Sequence, residues 1–230
     1  LDESKFLIDE LEKSDLLKKM SFYVLLPYIN KYVRKSNEIG LIGIIKEQLA
    51  KASLSKNLKH SVNLSTYFLN FDFKKILTSL VDIELQTFEK VNKKIVILHD
   101  ALTDILLSLK KVEIFEFFIE LVEKKHKCQA GFATKNFVNL DNLFKKININ
   151  TTILTHANHI GFNMNPGKIE VENSFKKTTN KIILMSVLAS GYLKPEIALK
   201  YVKNLELHDY EVVIGSSKKE HISEIISLSS

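Results

Sequence analysis

Short apolar stretches alternate along this chain with longer segments of helical periodicity, and this alternation limits the possible folds more than any other feature. Strands that are separated by helices are typical of a parallel sheet whose two faces are both covered. The predicted strands are Phe22–Leu26, Ser61–Tyr67, Ile95–Leu98, Cys128–Gly131, Thr152–Thr155, Ile182–Ser186 and Glu211–Ile214.

The segments between the strands predict helices. Apolar residues recur at three- and four-residue spacings over Phe73–Phe88 and Ile114–Val122, as one buried helix face requires. A further helix is predicted over Asp2–Lys19, ahead of the first strand. The pattern is therefore of the α/β class.

Strand starts about thirty residues apart predict repeated right-handed crossovers, and a (β/α)8-type TIM barrel follows from them. Because the opening strand of an eightfold barrel is not visible, we expect a barrel that lacks its first strand or is truncated there. The alternative is an open doubly wound sheet, although the glycine-rich first turn typical of that fold is absent. Without a linker rich in Pro, Gly or Ser, residues 1–230 are predicted to form a single domain.

Composition excludes several classes of protein. With 45% apolar and 26% charged residues among 230, the chain is neither a disordered tail nor a membrane bundle. The single cysteine, Cys128, excludes an internal disulfide framework and favours a reducing compartment, so we expect a cytoplasmic protein without membrane segments. The sequence does not predict an oligomeric state.

A formal net charge of +6 favours anionic partners. The lysines are scattered and lack the interleaved aromatic residues of a nucleic-acid groove, so the expected partner is a small molecule that carries phosphate rather than a nucleic acid. The segment that begins at Gly215 and continues through Ser216, Ser217 and Lys218 combines hydroxyls and positive charge at a helix start, where phosphate binds. Alternatively, Ser216 or Ser217 only caps that helix.

A second chemistry is compatible with the strand exits. His99, Asp100, His156 and His159 could surround a divalent ion such as zinc, with one position left for water. That arrangement would make the protein a metal-dependent hydrolase.

Four motifs resemble those of the aldo-keto reductase superfamily. The run Ser186–Leu193 (SVLASGYL) resembles the seventh-strand signature of that superfamily, and Ile214–His221 (IGSSKKEH) resembles the eighth. The GFATKNF segment that ends at Phe137 resembles the exit of its fifth strand, and the IVILHD segment that ends at Asp100 resembles the fourth strand. The likeness covers residues 94–226.

The resemblance implies an NADP(H)- or NAD(H)-dependent oxidoreductase that acts on a small carbonyl compound. Tyr32 would deliver the proton and His99 would orient the substrate carbonyl. Cofactor-binding positions would be Asn136 at the nicotinamide, Ser190 and Gly191 after the seventh strand, Gly215, Ser216, Ser217 and Lys218 at the phosphates, and His221 and Glu224 toward the adenosine.

Two catalytic positions of that family hold other residues here. Pro27 stands where an aspartate is expected, and the strand Ser61–Tyr67 offers Asn63, Ser65 and Thr66 where a lysine is expected. The alternative is therefore a catalytically impaired protein that only binds a nucleotide or another phosphorylated ligand.

Overall fold

The computed structural model describes residues 2–27, 73–216 and 218–229. The predicted strand Ser61–Tyr67 and the predicted residues Tyr32 and Ser217 lie outside the described residues. The described part divides into two compact units, drawn from Leu1–His99 with Lys111–Ala130 and from Asp100–Lys110 with Gly131–Ser230.

The described residues of the first unit form two parallel strands and three helices. Strand β1 (Phe22–Leu26) pairs with β2 (Lys93–Leu98), so that Leu26 lies beside Leu98. The helices are α1 (Asp2–Lys13), α2 (Phe73–Gln86) and α4 (Val112–Glu120). A 3₁₀ turn at Leu17–Lys19 follows α1, and a π-helical turn at Leu121–Lys125 extends α4.

Burial in the first unit follows the apolar spacing of its sequence. Ile95, Val96, Ile97 and Leu98 of β2 are all buried, as expected for a strand that is covered on both faces. Helix α1 contributes Ile8 to a separate apolar cluster that includes Leu17 and Val91. Apolar burial therefore determines which face each element presents to the interior of this unit.

The second unit contains parallel strands and the other five described α-helices. Strand β3 spans Gln129–Thr134, and its residues from Gly131 onward belong to this unit. The strands that follow are β4 (Thr152–His156), β5 (Lys181–Met185) and β6 (Tyr210–Val212). Each of these strands pairs in parallel with the next one along the chain. The helices are α3 (Asp100–Ser108), α5 (Phe137–Lys146), α6 (Lys168–Phe175), α7 (Pro195–Asn204) and α8 (Lys219–Ser229).

Aromatic side chains fill the core of the second unit. The rings of Phe132 and Phe144 meet edge to face with centroids 5.2 Å apart, and those of Phe137 and Phe175 do so at 4.7 Å. The first three of these rings are completely buried, and Phe175 is nearly so. These contacts hold α5 (Phe137–Lys146) against β3 and α6 (Lys168–Phe175) against α5.

The predicted eight-stranded TIM barrel is wrong. The described residues form six strands, and β6 pairs with β5 alone among them, whereas every strand of a closed barrel has two neighbours. The α/β class and the parallel pairing are confirmed. A repeating β-α pattern specifies parallel crossovers, but it does not specify whether the last strand returns to the first.

The elements themselves lie close to their predicted positions. Strand β1 has the predicted bounds, and α2 ends two residues before the predicted Phe88. The first helix is shorter than predicted, because Asp15 adopts a positive φ of 58° and breaks the helical path after Lys13. Within the described residues, no helix is long and apolar enough to cross a membrane.

Candidate functional site

The carboxyl ends of β5 and β6 carry two turns that the sequence singled out. After β5 the chain takes a tight path in which Ser186, Ala189, Ser190 and Gly191 all have positive φ, with 88° at Gly191. The N–H of Gly191 donates to the carbonyl of Leu188 at 2.9 Å, which closes the turn. Glycine is favoured there because it adopts this conformation without the steric cost of a Cβ.

The turn after β6 leads directly into α8. The hydroxyl of Ser216 donates to the carbonyl of Lys218 at 3.1 Å and accepts the N–H of Lys218 at 3.3 Å. This local turn supports the view that Ser216 organises the start of the helix. Gly215 has open space around its α-carbon, since an added Cβ would meet nothing within 4 Å.

Both turns line one cavity of about 610 Å³. Its floor and walls combine apolar side chains with the polar groups of the two turns. The lining residues are Met185, Ser186, Val187, Leu188, Ser190, Gly191, Tyr192, Leu193, Lys194, Pro195, Val213, Ile214, Gly215, Ser216, His221 and Ile225. Its volume falls within the range of small-molecule sites.

The charge of the cavity lining favours an anion. Among the described residues that line the cavity, Lys194 is the one permanently cationic side chain, and none is Asp or Glu. His221 of the first turn of α8 also lines the cavity, which places the positive end of the helix dipole at its wall. A negatively charged group is therefore attracted to this cavity.

The structure brings together five of the predicted cofactor-binding residues in this cavity. They are Ser190, Gly191, Gly215, Ser216 and His221. Lys218 and Glu224 are exposed, and they are not among the lining residues.

The predicted catalytic residues are not assembled within the described residues. Tyr32 lies outside them, and His99 belongs to the first unit, where its N–H donates to the carbonyl of Leu26 at 2.7 Å. The catalytic roles of both residues stay predictions.

Asn136 belongs to a network at the exit of β3. Its backbone N–H donates to the Thr134 hydroxyl at 2.8 Å, and this hydroxyl donates to the carboxylate of Asp104 at 2.5 Å. The same carboxylate accepts a hydrogen bond from the Lys135 N–H at 3.1 Å. Burial raises the pKa of Asp104, and the hydrogen bonds from Thr134 and Lys135 oppose that rise. The network fixes the loop that carries Lys135. The nicotinamide-binding role of Asn136 stays a prediction.

His156 ends β4 and has an unusual environment. Its side chain is 6% exposed, and both ring nitrogens lack a hydrogen-bond partner among the described residues. Burial lowers the pKa of the imidazole, and the charge of Asp100 partly opposes this effect. Asp100 in turn forms an ion pair with Lys135 at 3.5 Å. Buried polar atoms are rarely left unpaired, so His156 is a candidate ligand contact.

The predicted metal site has no support in the part of the chain that the structure describes. No group of three His, Cys, Asp or Glu side chains is placed there to hold an ion. The ring of His159 instead packs edge to face against Tyr201, with centroids 5.9 Å apart.

Two residues of the cavity were not assigned a role from the sequence. Lys194 precedes Pro195, and a proline at the first position of a helix was the signal that places Lys194 at the start of α7. Tyr192 is 79% exposed beside the turn at Gly191. An exposed aromatic residue directly after a strand exit is a weak signal, because many such rings only cover local surface.

No protein-family model, no curated protein and no solved structure matches this chain. The resemblance to aldo-keto reductases therefore stays a hypothesis that rests on the four motifs alone.

Proposed function

We propose that this protein binds a nucleotide-class ligand, a small molecule with a phosphate and a ring, in the cavity at the carboxyl ends of β5 and β6. One observation carries the proposal: the turns at Gly191 and Gly215 line the same cavity, and its described lining contains a lysine and no carboxylate. Ligands of parallel α/β sheets bind at this end of the strands.

The phosphate is expected at the side of the cavity formed by Ser216, His221 and Lys194. The first-turn amides of α8 have no partner within the helix, and a helix of eleven residues directs its positive end there. Lys194 adds Coulomb attraction from the start of α7. The hydroxyls of Ser186 and Ser190, which also line the cavity, supply further donors.

The apolar part of the ligand is expected beside Tyr192. This ring is largely exposed, so one face is free to stack on a planar group. Met185, Val187 and Ile225 supply an apolar surface in the same cavity. Phosphate donors beside an apolar, aromatic surface are what a nucleotide requires.

Hydride transfer from a nicotinamide cofactor to a carbonyl is the narrower form of this proposal, and its support is the motif resemblance. The assay is NADPH oxidation with a panel of small aldehydes, with Tyr32→Phe as the control. A cytoplasmic location is likewise part of the proposal, supported by a single cysteine that is free and buried.

Binding is tested by titrating the full chain with AMP and with NADPH, following heat release for both and nicotinamide fluorescence for NADPH. Lys194→Glu is expected to weaken both ligands by about tenfold or more, because a charge-assisted contact becomes a repulsion. Lys200→Glu makes the same charge change on α7 at an exposed position outside the lining and is the matched control.

Adenosine is the matched ligand for AMP, since it lacks only the phosphate. We expect adenosine to bind more weakly than AMP and to be insensitive to Lys194→Glu. The absence of binding of AMP and NADPH up to millimolar concentrations would contradict the proposal, and so would equal effects of the two lysine variants.

A further inference from the structure

We propose that His156 contacts a hydroxyl group of the bound ligand, so that the ligand is a phosphorylated sugar compound, with the ribose of a nucleotide as one example. This inference rests on the proposed function, because it extends the ligand from the cavity to the exit of β4. It assigns a positioning role to His156 rather than a step of chemistry.

The register of the sheet pairs His156 with a residue that lines the cavity. His156 is paired with Met185 in the parallel ladder of β4 and β5, and the N–H of Ala157 donates to the carbonyl of Met185 at 3.1 Å. Residues paired in register direct their side chains to the same face of a sheet. Met185 lines the cavity, so the His156 ring lies one strand further along the same face.

The unpartnered ring is the second, independent observation. Both nitrogens of His156 are buried without a partner among the described residues, and leaving such groups unpaired is unfavourable. A neutral imidazole offers one donor and one acceptor, which together match an alcohol. A hydroxyl can satisfy either nitrogen without bringing a charge into the site.

The charges around His156 favour an uncharged group. Asp100 and Lys135 both act electrostatically on the imidazole, and they neutralise each other as an ion pair. The two charges that act on the ring are opposite in sign, so together they offer little attraction for a second phosphate or for a carboxylate. A sugar hydroxyl fits this environment because its polarity is satisfied by hydrogen bonds alone.

The spacing of the strands fixes the size of the ligand. Neighbouring strands lie about 4.8 Å apart, so a group bound beside β5 and β6 needs to extend by one or two strand spacings to reach β4. That length, on the order of 5–10 Å, is the length of a pentose ring with its phosphate. A free phosphate ion is too small to span it.

The test compares ribose 5-phosphate with inorganic phosphate as probes of the full chain, by calorimetric titration. Wild-type protein is expected to bind ribose 5-phosphate more tightly than phosphate. His156→Phe keeps a planar ring and removes both nitrogens; it is expected to weaken ribose 5-phosphate by about tenfold and to change phosphate affinity by less than about twofold. His208→Phe, at an exposed histidine outside the cavity lining, is the matched control.

The outcomes separate the two proposals. If wild-type protein binds both probes equally and His156→Phe changes neither, the contact with His156 is overturned while phosphate binding stands. If wild-type protein binds neither probe nor AMP, the proposed function fails and the inference fails with it. A loss of affinity that is equal for both probes also overturns the contact, because it indicates a general distortion.

A measurement on the unmodified protein covers the case in which His156→Phe does not fold. Protein labelled with ¹⁵N-histidine is titrated with ribose 5-phosphate, and the imidazole nitrogens of His156 are expected to shift, because one of them gains a hydrogen-bond partner. Inorganic phosphate is expected to leave them unchanged. Shifts that are equal with both probes, or absent with ribose 5-phosphate, would overturn the inference.

Discussion

The carboxylate of Asp104 accepts a 2.5 Å hydrogen bond from the hydroxyl of Thr134, which joins α3 to the end of β3. Thr134→Val removes that donor, and also the acceptor of the Asn136 N–H at 2.8 Å, with little change in the shape of the side chain. We expect a loss of about 1.5–3 kcal/mol in the free energy of unfolding, because the hydrogen bond is made to a charged group. Urea denaturation followed by circular dichroism measures it.

Thr155→Val is the matched comparison. The Thr155 hydroxyl donates to the backbone carbonyl of Thr134 at 3.1 Å, so the same isosteric change removes a bond to a neutral acceptor. The expected loss is about 0.5–1.5 kcal/mol. If Thr155→Val lowers the free energy of unfolding as much as Thr134→Val or more, the hydrogen bond to Asp104 does not contribute more to stability than a bond to a neutral acceptor.

His156 gives the folded state a specific dependence on pH. Burial lowers the pKa of this imidazole below its ordinary value of 6.5. Below about pH 6.5 the unfolded chain therefore binds a proton that the folded chain does not, and stability falls as pH falls through this range. We expect His156→Gln to lose less stability than wild-type protein between pH 7.5 and 5.5. Denaturation at both pH values measures the difference, and His208→Gln should follow the wild type.

Asp141 has no solvent exposure and is stabilised by four donors. Its carboxylate accepts hydrogen bonds from Lys145 at 2.6 Å, Thr178 at 2.5 Å, Asn180 at 3.0 Å and Ser174 at 3.3 Å. Asp141→Ala removes the shared acceptor of these four donors and is expected to cost about 3–5 kcal/mol. Lys145→Met should cost less, because Asp141 keeps three donors. The order of the two denaturation midpoints tests this expectation, and a reversed order would contradict it.

Alanine substitutions at Gly191 and Gly215 distinguish the energetic cost of backbone strain from that of steric crowding. An alanine Cβ would meet nothing within 4 Å at either position, but only Gly191 has a positive φ, at 88°. Gly191→Ala should therefore cost on the order of 1–2 kcal/mol, whereas Gly215→Ala should change stability by less than about 0.5 kcal/mol. Thermal unfolding of the two variants checks this difference. Equal melting temperatures would show that the turn at Gly191 relaxes at no cost.

The positions of strands could be predicted from sequence because they depend on local apolar runs. Phe22–Leu26 and Thr152–His156 show this most clearly. Strand ends were less predictable: β3 continues to Thr134, three residues beyond the predicted Gly131, while β6 ends at Val212, before the predicted Ile214. Pairing with the neighbouring strand determines these ends, and no local pattern contains that information.

The candidate site was predictable only in part, for a similar reason. Gly191 and Gly215 follow apolar runs, and their conformational role is local. The isolation of the His156 ring depends on side chains that other elements bring toward it or keep away. From the sequence, its residue type together with His99, Asp100 and His159 led instead to a predicted metal site. Barrel closure likewise depends on the neighbours of the last strand rather than on the residues within it.

The parallel pairing in the second unit follows the order of the chain from β3 to β6. During synthesis, each of the strands β4 to β6 is made after the preceding strand with which it pairs. Each can therefore pair as soon as it is available. The parallel sheet of this unit can thus form strand by strand in the order of translation. Within this unit, the turn after β6 and helix α8 come after the other elements in chain order, and they complete the cavity wall.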